Sequence, residues 1–206
     1  MLGLPSTTEV GRRIPKEAFY GHLKVSAALR QSFIDDVECF VVANSIKTST
    51  TGIPDGERVH EVLVVQVALK ARRVPEKVLV LVAQANPHKL LFVCTRDGEA
   101  CLAVMLKRLV MGPWRPLDDL ALDVSAGSID AVWDSLASQV AYGDAGSGAE
   151  TVEECFEAGS RLKVLRDELA RVEARGRKEQ QVARKNALFN KVKELKRQIA
   201  AIEEGK

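Results

Sequence analysis

The most constraining feature of the sequence is an apolar run between Val59 and Leu69, within which Val62–Val65 are apolar without interruption. A strand with one face in water alternates apolar and polar residues, whereas a strand covered on both faces does not. We therefore predict that this run is the central strand of a sheet with helices on both sides.

Helices and further strands are predicted around this run. Ser26 is expected to cap a helix over 27–44, and a second helix follows Pro75 as far as about Gln84. Ser128 is expected to cap a third helix. The order strand, helix, strand, strand implies a crossover and then an antiparallel addition, hence an α+β fold with a mixed sheet flanked by helices. The apolar face of the first helix would comprise Leu29, Phe33, Val37, Phe40 and Val41.

Two segments are predicted to lack regular structure, because Pro, Gly, Ser and Thr recur in them. The segment 1–21 is expected to be extended chain, and the segment 46–58 is expected to be a loop or a ragged edge strand.

A β-hairpin is predicted from the strand-like runs 89–95 and 100–107, which Asp97 and Gly98 connect. Asp-Gly suits a two-residue turn with positive φ at both positions. With that turn, Cys94 stands opposite Cys101. Opposed residues of paired strands have Cβ atoms roughly 4.5 to 5.5 Å apart, too far for an unstrained disulfide without adjustment, so in a reducing cytoplasm we expect both to be free thiols packed in the sheet. No CxxC pair or zinc-binding spacing occurs among the cysteines.

The charge is divided unevenly along the chain. Residues 1–157 carry 16 Lys and Arg against 21 Asp and Glu, a net of −5, whereas residues 158–206 carry 14 against 7, a net of +7. Glycines cluster in 143–149. We therefore predict an α+β body over 1–142, a linker over 143–157 and a basic helical arm over 158–206. Without a long apolar run or a signal-peptide pattern, a soluble cytoplasmic protein is expected.

The arm has two apolar seams of the coiled-coil type, which differ in phase. Gly176 lies between them and weakens a helix by about 1 kcal/mol relative to Ala. We favour two helices that fold back as a hairpin, with one long interrupted helix as the alternative. The first seam comprises Leu162, Leu165, Leu169 and Val172, and the second comprises Leu188, Val192, Leu195, Ile199 and Ile202.

The arm offers two kinds of interface. Between Arg171 and Arg197 there are ten basic residues against three acids, and such a helix can neutralise phosphates without reading sequence. Its predicted nucleic-acid-binding residues are Arg175, Arg177, Lys178, Arg184, Lys185, Lys191 and Lys193. The second seam, Leu188, Val192, Leu195, Ile199 and Ile202, is the predicted interface for a protein partner or for a second part of the same arm.

Signatures of common enzyme chemistry are absent from the sequence. It contains no GxxxxGK[ST], GxGxxG, HExxH or GxSxG motif. The histidines His22, His60 and His88 stand in unrelated contexts. No cofactor and no metal site are therefore predicted, and a non-enzymatic role is favoured.

One group of charged residues follows an order along the chain that is similar to the order in metal-dependent nuclease cores. Glu61 and Lys70 flank the central strand, and Asp35 and Asp36 lie on the preceding predicted helix. Such a site requires an acid two positions before the lysine, and Ala68 stands there instead. A degenerate nuclease-like fold is therefore kept only as the weaker alternative.

One set of sequence blocks comprises Leu4–Thr7, Arg13–Tyr20, Phe33–Glu38, His60–Lys70, Pro87–Val93, Glu179–Lys185 and Asn190. These blocks resemble a bacterial family known as a domain of unknown function. In that family the genes often lie beside those for helicases and DNA methyltransferases in restriction or phage-defence clusters. The resemblance implies an accessory role in DNA metabolism and carries over no catalytic residues.

Together these observations favour an accessory subunit of a bacterial DNA-processing or phage-defence system. It would act by protein–protein contact through the C-terminal helices, with a helicase, a methyltransferase or a second copy of itself as the partner. The alternative is a sequence-independent nucleic-acid binder that uses the basic arm.

Overall fold

The computed structural model describes residues 2–21, 25–143, 152–179 and 181–204. These residues form two compact units, Met1–Val152 and Glu153–Lys206, whose boundary lies within the stretch predicted as a linker. His22 and most of that linker lie outside the described residues. No helix in the described part is both long enough and apolar enough to span a bilayer.

The first unit contains a six-stranded sheet in which the strands are neighbours in chain order. The pair β3–β4 is parallel and the other neighbours are antiparallel, which confirms the mixed sheet. The strands are β1 (Glu9–Ile14), β2 (Val37–Ile46), β3 (Val62–Leu69), β4 (Lys89–Arg96), β5 (Glu99–Met105) and β6 (Leu109–Pro116). The helices of this unit are α1 (Glu17–Gly21), α2 (Ala27–Asp35), α3 (Thr48–Thr51), α4 (Glu76–Gln84) and α5 (Ile129–Tyr142).

Helices cover both faces of the sheet, as the apolar run predicts. Val62 and Val64 pack in one core with Trp133 and Leu136 of α5. The neighbouring positions of β3 point to the opposite face, because successive side chains of a strand alternate. There Val65, Val67 and Leu69 pack in a second core with Phe33 of α2 and with Val78 and Leu79 of α4.

The helix predicted over 27–44 is wrong in its second half. Helix α2 ends at Asp35, with Asp36 as its C-cap, and β2 begins at Val37. The apolar spacing fits a helical face as well as a strand, but the β-branched residues favour a strand once β1 and β3 pair on its two edges. The predicted N-cap is confirmed, because the Ser26 hydroxyl accepts a hydrogen bond from the Leu29 N–H at 3.3 Å.

The segments predicted to be irregular contain regular elements. The extended segment 1–21 contains β1 and α1, and the loop 46–58 contains the single turn α3. Strand β6 was not predicted, because Gly112 and Pro113 lie inside it. As an edge strand, β6 tolerates a proline that a central strand would exclude.

The β-hairpin is confirmed with its predicted register. Cys94 pairs with Cys101, and both residues are free thiols. The turn residues Asp97 and Gly98 have φ values of 49° and 80°. Both thiols are buried in the core that contains Phe33, and the Cys101 thiol donates to the Gly112 carbonyl at 3.2 Å.

The loop before β3 is held by one carboxylate from α5. Asp130 accepts hydrogen bonds from the backbone N–H groups of Glu57, Arg58 and Val59, the shortest at 2.7 Å from Val59. Burial by itself raises the pKa of Asp130, but these three donors and the Arg58 charge outweigh it and lower the pKa below its usual value. Asp130 therefore fixes the loop that leads into the central strand.

Candidate nucleic-acid interface

The second unit consists of two helices, α6 (Val152–Lys178) and α7 (Val182–Glu204). A Cβ on Gly176 would lie 3.9 Å from the Leu188 Cβ, so the helices contact each other close to the break between them. Ion pairs also join the helices, from Lys191 to Glu168 at 2.5 Å and from Lys196 to Glu173 at 3.1 Å. The arm is therefore a helical hairpin, as favoured from the sequence.

Gly176 lies on the seam of the hairpin and not in its turn. Helix α6 continues to Lys178, and the break falls at residues 179–181. Gly176 follows Val172 by four residues, which continues the spacing of the first seam. With Gly176 opposite Leu188, an antiparallel pair also places Val172 opposite Val192 and Leu169 opposite Leu195.

The apolar seams of the two helices are buried or half-buried within the chain. Leu195 is 5% exposed and Ile199 is 9% exposed. The remaining members of the second seam, Leu188, Val192 and Ile202, are half-buried. In the first seam, Leu162 and Val172 are buried. The residues predicted as a partner interface are thus the ones that the hairpin itself covers.

The predicted nucleic-acid-binding residues divide into two groups. Lys191 is engaged by Glu168, and the side chain of Lys178 lies outside the described part. The others are exposed, and no ion pair to them occurs among the described residues. We call these five the basic cluster: Arg175, Arg177, Arg184, Lys185 and Lys193.

The basic cluster surrounds the closed end of the hairpin. Four of its members lie within about two turns of the break at 179–181, and Lys193 lies further along α7. Phe189 is also on α7 and is 68% exposed. Arg175 of the cluster also lines a groove of about 380 Å³ between the helices. The other residues that line this groove are Val164, Asp167, Glu168, Arg171, Val172 and Lys191.

The residues considered for a nuclease site are not brought together. Glu61 precedes β3 and Lys70 follows it, so at about 3.3 Å per residue the strand separates them by roughly 25 to 30 Å. Asp36 lies at the Lys70 end and pairs with Arg73 at 3.0 Å. Among the described residues, no three His, Cys, Asp or Glu side chains are grouped so as to hold a metal ion.

At the other end of β3, Glu61 contacts one residue of β2, one residue that follows β2 and one residue that precedes β4. Its carboxylate accepts from the Ser45 hydroxyl at 2.5 Å and pairs with Lys47 at 3.3 Å and with His88 at 3.6 Å. Burial alone raises the pKa of Glu61, but the hydrogen bonds from Ser45 and Lys47 and the neighbouring positive charges lower it. Glu61 is thus held as a carboxylate that links the end of β2 to the residue before β4.

Comparison with protein families identifies the chain over nearly its whole length. Residues 2–199 match the domain of unknown function DUF4391. The chain belongs to the DUF4391 family. The match includes most of the hairpin, so both helices α6 and α7 are part of the DUF4391 domain and are not an unrelated extension. Comparison with curated proteins and with solved structures found no match.

Two polar arrangements of the DUF4391 domain could not be found from its sequence. The Glu61 cluster joins Ser45 of β2, Glu61 just before β3 and His88 just before β4, and the Asp130 contacts join α5 to a distant loop. The first depends on the pairing that brings β2, β3 and β4 side by side, and the second depends on the packing of α5 beside the loop that precedes β3. The dipeptide Asp55-Gly56 indicates a turn there, but it does not indicate which carboxylate binds the turn.

Proposed function

We propose that the protein is an accessory component of a bacterial DNA-processing or phage-defence system and that it contacts nucleic acid through the basic cluster of its hairpin. The observation that carries the proposal is that the five cations of the basic cluster are exposed to solvent. All five members of the cluster are exposed, and among the described residues none of them forms an ion pair with a carboxylate: Arg175, Arg177, Arg184, Lys185 and Lys193.

The neighbouring lysines give the contrast that supports this assignment. Lys191 and Lys196 each pair with a glutamate across the hairpin, and these pairs fix one helix against the other. In the part of the chain that the structure describes, the basic cluster forms no such pair, so its charges can replace the counterions of a phosphate backbone. Contacts of this kind are sequence-independent and sensitive to salt.

The proposal is tested with the full chain and a variant in which all five residues of the basic cluster become Gln. Binding to a labelled DNA duplex is measured by fluorescence anisotropy at low salt. We expect the variant to lose most of the affinity, because it lacks the cations that would displace counterions from the phosphates. Each phosphate contact contributes about 0.9 to the slope of log affinity against log salt on duplex DNA. Equal affinity of the two proteins would exclude the basic cluster as the binding surface.

A matched control removes the same charge from the first unit. Its five substitutions to Gln are placed at exposed residues of that unit, so the net charge equals that of the hairpin variant. We expect this control to bind DNA almost as well as the unmodified chain. If both variants weaken binding equally, the interaction depends on net charge alone. The control positions are Arg12, Arg13, Lys77, Lys107 and Arg108.

A second candidate function is contact with a protein, and Val164 favours it. This side chain on α6 is 65% exposed and borders the groove lined by Arg171 and Arg175. A helicase, a methyltransferase or a second copy of the chain could cover it. For self-association, light scattering should show a dimer that Val164→Asp dissociates and that persists at high salt. A monomer at all concentrations would remove this form of the candidate.

A further inference from the structure

We infer that the hairpin prefers single-stranded over duplex nucleic acid and that Phe189 is the platform on which an unpaired base stacks. The inference rests on the proposed function, since it names the class of nucleic acid that the same surface takes. It starts from the exposure of Phe189, which is 68%, whereas Phe33, Phe40 and Phe92 are each 0% exposed.

The neighbours of Phe189 distinguish it from an ordinary exposed apolar residue. Lys185 precedes it by four residues and Lys193 follows it by four, so the three side chains lie in line on one face of α7. At 1.5 Å per residue, the two lysines are about 12 Å apart along the helix. Both lysines are exposed members of the basic cluster.

This line has the chemistry of a single-strand platform. Cations on both sides can contact two phosphates of the same strand, while the ring between them offers its face to a base. In a duplex the bases are stacked and paired inside the helix, so a ring on a convex helix surface cannot stack on them. Duplex DNA would thus use the lysines alone, and a single strand would use the lysines and the ring.

The seam leaves the ring available for this role. Leu188 is half-buried, and the next seam residues, Val192 and Leu195, continue around the face that closes the hairpin. Phe189 is one residue further around the helix, outside that face. Replacing Phe189 therefore removes an exposed ring without opening the hairpin, so a change in binding can be assigned to the ring.

The test compares a single-stranded oligonucleotide with a duplex of the same length, using the full chain and two variants. Phe189→Leu keeps an apolar side chain and removes the ring, and Phe189→Trp enlarges the ring. We expect Phe189→Leu to weaken single-strand binding roughly tenfold and to leave duplex binding unchanged, because stacking is lost only on the single strand. Phe189→Trp should retain the affinity, and its fluorescence should be quenched by the single strand.

The outcomes separate the two proposals. If both forms bind with equal affinity and Phe189→Leu changes neither, the inference is overturned while the proposed function stands. If neither form binds, both fail. If Phe189→Leu instead lowers the molecular mass of the free protein, the ring belongs to a protein interface and the inference is also overturned. Equal thermal unfolding of all three chains confirms that the hairpin is intact.

Discussion

Gly56 lies against the carboxylate of Asp130 so closely that a Cβ on Gly56 would meet Oδ1 at 2.5 Å and the Val59 carbonyl oxygen at 2.5 Å. Only a residue without a side chain fits there. The same carboxylate accepts the N–H groups of Glu57, Arg58 and Val59. The loop can therefore wrap Asp130 only because residue 56 is glycine.

We expect Gly56→Ala to destabilise the protein by about 1 to 3 kcal/mol, because the added methyl group forces the loop away from Asp130. Urea unfolding followed by tryptophan fluorescence measures the change, since Trp133 lies in the adjacent core. Gly127→Ala is the matched control, because nothing lies within 4 Å of its Cβ position. If Gly56→Ala lowers the free energy of unfolding only as much as Gly127→Ala does, the loop can accommodate a methyl group at residue 56.

The Asp130 carboxylate makes the stability dependent on pH. Its folded-state pKa is lower than its unfolded value of about 3.9. Its contribution is therefore fully present above the unfolded pKa and is lost as pH falls through the folded pKa. We expect Asp130→Asn to lower the unfolding free energy at pH 7 by about 1 to 3 kcal/mol and to reduce its decline below pH 4. An unchanged acid profile would contradict this.

The seam glycine predicts a stabilising substitution. A Cβ on Gly176 would meet the Leu188 Cβ at 3.9 Å, an ordinary contact, and alanine favours a helix by about 1 kcal/mol over glycine. Gly176→Ala should thus raise the midpoint of thermal unfolding followed by circular dichroism. Leu195→Asp should lower it, because Leu195 is buried in the seam. If Gly176→Ala is destabilising, the helices are closer at this point than the structure has them.

Because the cross-strand neighbours Cys94 and Cys101 are buried free thiols, we expect a specific pattern of thiol reactivity. Burial raises the pKa of both Cys94 and Cys101, so few thiolates form on either near neutral pH. We expect a maleimide at pH 7.5 to leave both unmodified in the folded protein and to label both after unfolding. Half-buried Cys39 serves as the internal control and should react first. Rapid labelling of Cys94 in the folded protein would contradict its burial.

The parts of the fold predicted from the sequence are those with a strong local signal. The apolar run that Gln66 alone interrupts predicts strand β3, and the turn at Asp97 and Gly98 predicts the hairpin register. Strand β2 was mistaken for a helix, because Val37, Phe40 and Val41 fit both periods. Only pairing with β1 and β3, which are distant in sequence, decides between them.

The candidate site was predicted only in outline. The two seams predicted the hairpin, and the charge count predicted a basic arm. The register of α6 against α7 decides which cations form ion pairs across the hairpin, because it places Lys191 near Glu168 and Lys196 near Glu173. The role of Phe189 likewise depends on its lying just outside the seam, which requires knowing which side of α7 faces α6.

The salt dependence of binding tests the central claim most directly. Affinity of the full chain for a single-stranded oligonucleotide is measured from low to physiological salt, beside the double variant Lys185→Gln with Lys193→Gln. We predict a steep linear fall of log affinity with log salt, and a slope smaller in the variant by about 1.4, or 0.7 for each lost phosphate contact on a single strand. Affinity that is independent of salt, or the same slope in both proteins, would contradict the account.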